Sequence, residues 1–131
     1  MHTLDELIDL VIASGLAVES ECYGGRRQPL PVRCMTLVAT PGEPPGRTLN
    51  GTVIEHPRVQ FTFRDARYPD AEAWAVAVWK LCESVENRML GSVEYLYIVP
   101  FGSVAGMGED DNLHPIVGFN VRIARVIMAG T

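Results

Sequence analysis

One segment of this 131-residue chain, from His56 to Val85, constrains the fold most, because it joins an alternating strand to an unusually apolar helix. Apolar and polar residues alternate strictly from Val59 to Arg64, which predicts a half-buried strand. A short polar connection then leads to Tyr68-Pro69-Asp70, and proline fits a first helical turn, where its missing N–H is not needed. The pattern predicts a long helix from this point to the region of Asn87 to Gly91.

The long helix carries a second apolar stripe. At about 100° per residue, Trp79 lies about 140° and Val76 about 160° from Trp74, outside a single buried face. Either the N-terminal helix packs there in the same layer, or a second subunit does, since tryptophan is enriched at protein interfaces. We therefore take Val76 and Trp79 as candidate interface residues.

The N-terminal half predicts one helix and one further strand. Thr3 and Glu6 have the spacing of a capping box, so a helix should begin at Leu4 and end at Gly15. Its acidic residues, Asp5, Glu6 and Asp9, are predicted to face away from the core. A glycine- and proline-containing loop from Glu19 to Pro31 should precede a strand from Val32 to Ala39.

Several turn signals bound the remaining strands. The proline-rich segment from Thr40 to Gly46 should stop the preceding strand, and Asn50-Gly51 favours a tight hairpin turn. A strand from Ser92 to Val99 should end at Pro100, followed by a connection from Phe101 to Pro115. Alternation then predicts a closing strand, in which Val117, Phe119, Val121 and Ile123 share one face.

The predicted order is helix, strand, strand, helix, strand, strand. This order favours an α+β fold with a mainly antiparallel or mixed four-stranded sheet and two helices packed on one face. With 47% hydrophobic and 21% charged residues, the chain fits a single domain spanning residues 1–131.

Composition excludes several classes of function. The net charge of −5 argues against a protein that wraps nucleic acid, which requires clustered lysine and arginine. No apolar run is long enough to cross a bilayer, so no membrane partner is expected. The three cysteines lack the spacing of a zinc site or disulfide framework, which indicates a reducing compartment.

Candidate chemistry in the sequence is sparse. The histidines His2, His56 and His114 fall at a terminus and in loops, without the spacing of a catalytic group, so we predict no catalytic residue and no enzyme. The glycine-rich stretch from Gly102 to Gly108 lacks a phosphate-loop lysine and is predicted to be a flexible connection. We expect no cofactor.

Charged clusters give the remaining candidates. Glu109, Asp110 and Asp111 lack the ligand spacing of a calcium loop, so we predict no metal site and interpret them as a solvated or repulsive loop. Arginines too sparse for a nucleic-acid footprint are predicted to form surface or inter-subunit salt bridges. The arginines taken as interface candidates are Arg26, Arg27, Arg64 and Arg67.

The order of the motifs resembles that of the tail terminator, or minor capsid, family of long-tailed (siphovirus-like) bacteriophages. The shared features cover nearly the whole chain. They are an N-terminal helix, Tyr23-Gly24-Gly25, a Val-Arg-Cys-Met-Thr-Leu strand, Glu55 to Arg64 leading through Tyr68 into an alanine-rich helix, Pro100, and Gly108 to Asn112 before Phe119-Asn120-Val121. Leu113-His114 departs from the pattern, which has an arginine soon after the acidic turn.

The resemblance implies a structural virion protein without catalytic activity. Such a protein forms a ring, most often a hexamer, that caps the tail tube, stops tail polymerisation and docks the tail to the head–neck connector. Its implied partners are copies of itself, the tail tube protein, and a head–tail connector or head completion protein, and viral DNA passes through the ring without specific binding. It would reside at the tail–neck junction, and in the host cytoplasm during assembly.

In such a ring, Glu109, Asp110 and Asp111 would line the central hole or form a docking loop. Two alternatives stay open. One is another neck protein, such as a head completion or connector protein. The other is a small enzyme or ligand-binding α+β domain with the Gly102 to Asn112 segment as a pocket wall.

Overall fold

The computed structural model describes residues 3–26, 28–29, 31–47, 53–91 and 93–127, with the backbone alone at 43–45, 47 and 127. Two helices and six strands make up the described chain. They are α1 (Thr3–Ala13), β1 (Cys22–Gly24), β2 (Cys34–Arg47), β3 (Val53–Arg64), α2 (Tyr68–Glu83), β4 (Glu86–Leu90), β5 (Val93–Glu109) and β6 (Pro115–Ile127), with a 3-10 turn at Glu19–Glu21.

The strands form one mixed sheet in the order β1-β2-β3-β6-β5-β4, in which β1 and β2 are parallel and all other neighbours are antiparallel. The prediction of a four-stranded sheet is therefore wrong, because three strands precede α2 and three follow it. The two unpredicted strands form the sheet edges. β1 is only three residues long, and four of the five β4 residues are exposed, so neither has an apolar alternation to reveal it.

The central strands pair in a regular register that places aromatic rings on one face. Phe61 lies opposite Phe119 across β3 and β6, with ring centroids 4.9 Å apart. Phe63 stacks beside Phe119 and meets the edge of the Trp74 indole, at centroid distances of 5.8 Å and 5.3 Å. These contacts join α2 to the sheet and form the centre of the core.

The sheet curls around α1. This helix contacts β1 and β2 at one edge of the sheet and β4 at the other, and its Leu7 and Val11 are buried in the same core as the α2 side chains. The helix begins at Thr3, and Glu6, predicted to face away, is only 2% exposed. That prediction is wrong because Glu6 bonds to the sheet. No helix of the described part of the chain is long and apolar enough to span a membrane.

Two segments predicted to interrupt strands belong to them. β2 continues through the proline-rich segment to Arg47, with register shifts between Thr40 and Glu43 and between Glu43 and Gly46. Such bulges absorb residues that cannot donate to a ladder. The Asn50-Gly51 turn lies outside the described residues.

The glycine-rich segment from Gly102 to Gly108 is likewise part of β5, so its prediction as a flexible connection is wrong. It pairs with β6 through two register shifts, and Gly102 and Gly108 have φ values of +81° and +86°. Glycine adopts this left-handed conformation without the strain of a side chain, so it permits bulges that keep the segment paired.

Candidate functional site

The second apolar stripe of α2 forms one wall of an open groove, here called the α2 groove, of about 310 Å³. Val76 and Trp79 are half-buried in it, and Trp79 also packs against the core. The side chains lining the groove are Glu72, Val76, Trp79 and Lys80 of α2 and Ser103 and Val104 of β5. No described residue of α1 lines the groove, so α1 does not cover the second apolar stripe there. Ser103 and Val104 of β5 cover it in part.

The acidic turn between β5 and β6 is organised by Asp110. Its Oδ1 accepts hydrogen bonds from the backbone N–H groups of Asn112 (3.0 Å) and His114 (2.8 Å). Its Oδ2 lies 3.2 Å from the His114 Nδ1. Burial raises the pKa of the Asp110 carboxyl, but the hydrogen bonds from His114 and Asn112 outweigh burial and hold this pKa below its ordinary value. Asp110 is therefore a fixed part of the turn, whereas Glu109 and Asp111 are exposed.

The same turn holds Leu113 outward. Leu113 has a φ of +62°, a left-handed conformation that is unfavourable for leucine, and its side chain is 75% exposed. Its N–H donates to the Asp110 carbonyl oxygen at 3.0 Å. The next residue, His114, takes part in the Asp110 network through its backbone N–H and its Nδ1.

Arg64 connects the acidic turn to the loop before β2. It is 3% exposed, and its guanidinium donates to the carbonyl oxygens of Val32 (2.9 Å), Gln28 (2.6 Å) and Pro31 (2.8 Å). Its Nη1 lies 3.4 Å from the Asp110 Oδ2. The guanidinium is thus committed to partners within the chain, and an interface role for Arg64 stays a prediction.

A cleft of about 350 Å³ lies above Arg64, between the loop and the acidic turn. Its wall includes Gln28, Pro29 and the segment from Glu109 to Asn112. The predicted docking residues Glu109, Asp110 and Asp111 therefore share one rim with the loop that Arg64 holds.

The other predicted arginines are dispersed. Arg26 and Arg67 are exposed, and Arg27 lies outside the described residues. Arg33, which the sequence did not single out, stacks over the Trp74 indole at 3.8 Å from its centroid. It also pairs with Asp65 at 2.6 Å. This arginine supports the fold around α2.

A buried polar network joins α1 to the far end of the sheet. The Glu6 Oε1 accepts hydrogen bonds from the Tyr95 hydroxyl (2.5 Å) and the Arg125 Nη2 (2.8 Å). The Arg125 Nη1 donates to Thr3 Oγ1 at 2.9 Å and Glu55 Oε1 at 2.8 Å. Thr3 and Glu6, predicted as a capping pair, therefore use their side chains in tertiary contacts.

The pKa values of this network follow its contacts. Burial raises the pKa of Tyr95 far above its ordinary value, and its hydrogen bond to Glu6 adds to the rise. Burial lowers the pKa of Arg125, but its hydrogen bond to Glu55 and the nearby charges outweigh burial and raise it. One sequence signal could have found Arg125. Val121 and Ile123 are predicted to face the core, and Arg125, two residues after Ile123, lies on the same face of the strand.

Nothing in the described ranges resembles a reactive centre. No group of three or more His, Cys, Asp or Glu side chains within them is placed to hold a metal ion. Burial raises the pKa of Cys22 to about 11 and of Cys82 to about 12, so neither thiol is activated at neutral pH.

Comparison with known proteins gives a fold and no family. No protein-family model matches the sequence, and no curated protein matches it. Among solved structures, the fold is similar to that of a chain in the virion of a native gene transfer agent particle. The TM-score is 0.65, the sequence identity is 12%, and the match covers 95% of each chain. At this identity the likeness establishes a common fold.

Proposed function

We propose that this chain is a non-enzymatic structural protein of a phage-like virion, and within that class a tail terminator. The observation that carries the proposal is the fold shared over 95% of both chains with a component of a gene transfer agent virion. The order of motifs from Tyr23-Gly24-Gly25 to Gly108–Asn112 supports the finer assignment.

In this proposal, copies of the chain form a ring, six in number, at the tail–neck junction of the particle. The ring caps the tail tube, stops its polymerisation and docks to a head–tail connector or head completion protein. The ring would assemble in the host cytoplasm. DNA would pass through its centre without specific binding, which suits a chain with a net charge of −5.

Two surfaces are assigned to this assembly. The α2 groove, with Val76 and Trp79, and the exposed Arg26 and Arg67 are proposed to meet neighbouring subunits or the tube, as is Arg27. Glu109 and Asp111 lie on an exposed rim with Asp110, and we propose this rim as the lumen or docking loop. Arg64 supports that rim by donating hydrogen bonds to the carbonyl oxygens of Gln28 and Val32.

The proposal is tested by removing the gene for this chain from cells that produce the particle and imaging the products by electron microscopy. A tail terminator is expected to leave filled heads beside unattached tubes of uncontrolled length. Restoring the chain from a plasmid should restore attached tails of uniform length. Normal tailed particles in its absence would refute the proposal.

The same images separate the neighbouring assignment. Loss of a connector or head completion protein would leave tubes of uniform length that fail to attach, because tube length is limited by a different protein. Free tubes of uniform length would therefore indicate that this chain is a connector or head completion protein on the head side of the neck. A labelled copy in complemented particles should lie at the top of the tail tube.

A further inference from the structure

Two features of the surface are unexplained by the fold of one chain: the α2 groove, and Leu113 at the tip of the β5–β6 turn. Leu113 is the most exposed large apolar side chain of the described residues. It is held outward by a left-handed backbone and by the Asp110 bonds to Asn112 and His114. A turn whose backbone is fixed in this way loses little backbone conformational entropy on binding.

The α2 groove has the complementary properties. Its floor is apolar, formed by Val76, Trp79 and Val104, and it has a volume of about 310 Å³. Its rim carries the ammonium group of Lys80 and the carboxylate of Glu72 on the same helix, two turns apart. A partner seated there should present one apolar side chain with an acidic neighbour facing Lys80.

We infer that the α2 groove of one copy of this chain receives the Leu113 turn of a second copy. Leu113 would enter between Val76 and Trp79, and the exposed Asp111 carboxylate would face Lys80. In this contact the acidic rim serves as a docking loop between copies and does not line the lumen. The inference deepens the proposed function and rests on it for the biological setting, although the contact itself belongs to the isolated chain. Because the Leu113 turn and the α2 groove are different surfaces, the contact is head-to-tail, the type that generates a closed ring when the rotation between copies closes.

Charge complementarity favours this turn over Met89, and exposure favours it over Val18, which is 57% exposed and also lies beside a carboxylate, Glu19. Met89 is 57% exposed, but its neighbour on β4 is Arg88, which would bring a cation towards Lys80. The Leu113 turn brings carboxylates instead, with Asp111 exposed close to the Leu113 side chain. Opposite charges at the rim of an interface favour encounter in one orientation.

Cysteine cross-linking between two separate variants tests the contact. Leu113→Cys is introduced into one chain and Val76→Cys into a second chain that carries a size tag, and the mixture is treated with a short bismaleimide. We expect a tagged–untagged heterodimer on a denaturing gel. The matched control replaces Leu113→Cys by Val18→Cys, which is also on an exposed apolar residue but lies at the 3-10 turn.

The native thiols give a low background, because Cys34 and Cys82 are buried and Cys22 is partly buried. We expect the Leu113→Cys pair to yield about tenfold more heterodimer than the Val18→Cys pair, the difference that one well-packed interface side chain brings. Equal yields at the highest soluble concentration, with both variants folded by circular dichroism, would overturn the inference.

A charge exchange provides a second measurement on exposed positions. Lys80→Glu is added to the Val76→Cys chain and Asp111→Lys to the Leu113→Cys chain. Each should lower the cross-linking yield by about two- to fivefold, as expected for a surface ion pair. Combining the two variants should restore the yield. Equal losses in singles and combination would show that Lys80 and Asp111 do not face each other, and would overturn the proposed orientation.

The outcomes also separate this contact from the proposed function. If deletion of the gene leaves overlong free tubes but Leu113→Cys shows no preference for Val76→Cys, the terminator assignment stands and this contact fails. If cross-linking succeeds but particles form normally without the chain, the self-contact stands and the terminator assignment fails.

Discussion

Arg125 and Glu6 place a charge pair inside the molecule, where leaving one partner alone costs far more than a surface pair contributes. The Glu6 side chain is fully buried and that of Arg125 is 9% exposed. Arg125→Met should lower the free energy of unfolding by about 3 to 5 kcal/mol, because it leaves Glu6 buried without a cation. Glu6→Gln keeps hydrogen-bonding capacity and should cost about 1 to 3 kcal/mol. Urea unfolding measures both.

The double variant Glu6→Leu with Arg125→Met removes both charges together. Its loss should be smaller than the sum of the losses of the single variants Glu6→Leu and Arg125→Met by about 1 to 3 kcal/mol, since neither ion is then left unpaired. Additive losses would mean that the pair is not coupled as the 2.8 Å contact indicates.

Arg64 is a second buried cation whose partners are mostly carbonyl oxygens. Arg64→Lys keeps the charge but cannot reach the carbonyls of Gln28, Val32 and Pro31 at once, so it should cost about 1 to 3 kcal/mol. The exposed Arg67→Lys is the matched control and should change stability by less than about 0.5 kcal/mol. Hydrogen exchange in Arg64→Lys should rise both at the amides of Gln28 and Val32 and in the 110–114 turn. A rise in neither would contradict this role.

Asp110 gives the acidic turn a defined pH dependence. Its pKa is lowered from 3.8 in the folded chain, so its contribution is complete above that value and is lost as pH falls through the lowered folded value. In Asp110→Asn this contribution is absent, so the stability gap from the wild type should be constant near neutral pH and shrink below pH 3.8. Unfolding midpoints measured across acidic pH test this. Asp111→Asn, at an exposed carboxylate, should show no such convergence.

At the scale of elements, the alternation of apolar and polar residues predicts the strands that pack on the core. It does not predict strands that form only because they pair with a neighbouring strand. Val117, Phe119, Val121 and Ile123 do share a buried face, since side chains at every second position of a strand lie on the same side of the sheet. The edge strands β1 and β4 exist through pairing with β2 and β5, which local composition cannot reveal.

The candidate site also combines features that local sequence predicts with features that depend on distant contacts. The acidic turn and the second stripe of α2 could be predicted because charge clusters and helical periodicity are local. The inward placement of Glu6 could not, because its partner Arg125 is 119 positions away and Glu6 looks like a surface charge until the two residues pair. The sequence shows Arg64 only as a charge, whereas its burial depends on a loop more than 30 residues earlier.

Close packing between β3 and β6 makes Gly118 a sensitive position. A Cβ there would collide with the Phe61 carbonyl oxygen and come within 2.8 Å of the Met107 Sδ. Gly118→Ala should therefore lower stability by about 1 to 3 kcal/mol through overpacking. Gly46→Ala in β2, where a Cβ meets nothing within 4 Å, should stay within about 0.5 kcal/mol of the wild type. Equal thermal melting points for the two variants would contradict the close approach.

At the scale of the whole molecule, the described elements share one sheet and one core. Both helices contribute to the same buried cluster, and α1 contacts both edges of the sheet. We therefore propose that the chain forms a single domain, and that loss of any one element exposes the core of the others. Separate stability of α1 and the sheet is not expected, because the Glu6–Arg125 contact and buried leucines join them.

This proposal predicts a single cooperative unfolding transition. Trp74 and Trp79 are the two tryptophans of the chain and both lie on α2, so their fluorescence reports the α2 side of the core, while far-UV circular dichroism reports all helices and strands. Urea transitions followed by the two signals should have the same midpoint and slope, because the helix cannot leave the sheet without exposing Phe63 and Phe119. If tryptophan fluorescence changed at lower urea than the circular dichroism, α2 would detach as an independent unit. The chain would then behave as more than one cooperative unit, and the helix that carries the α2 groove would be the less stable part.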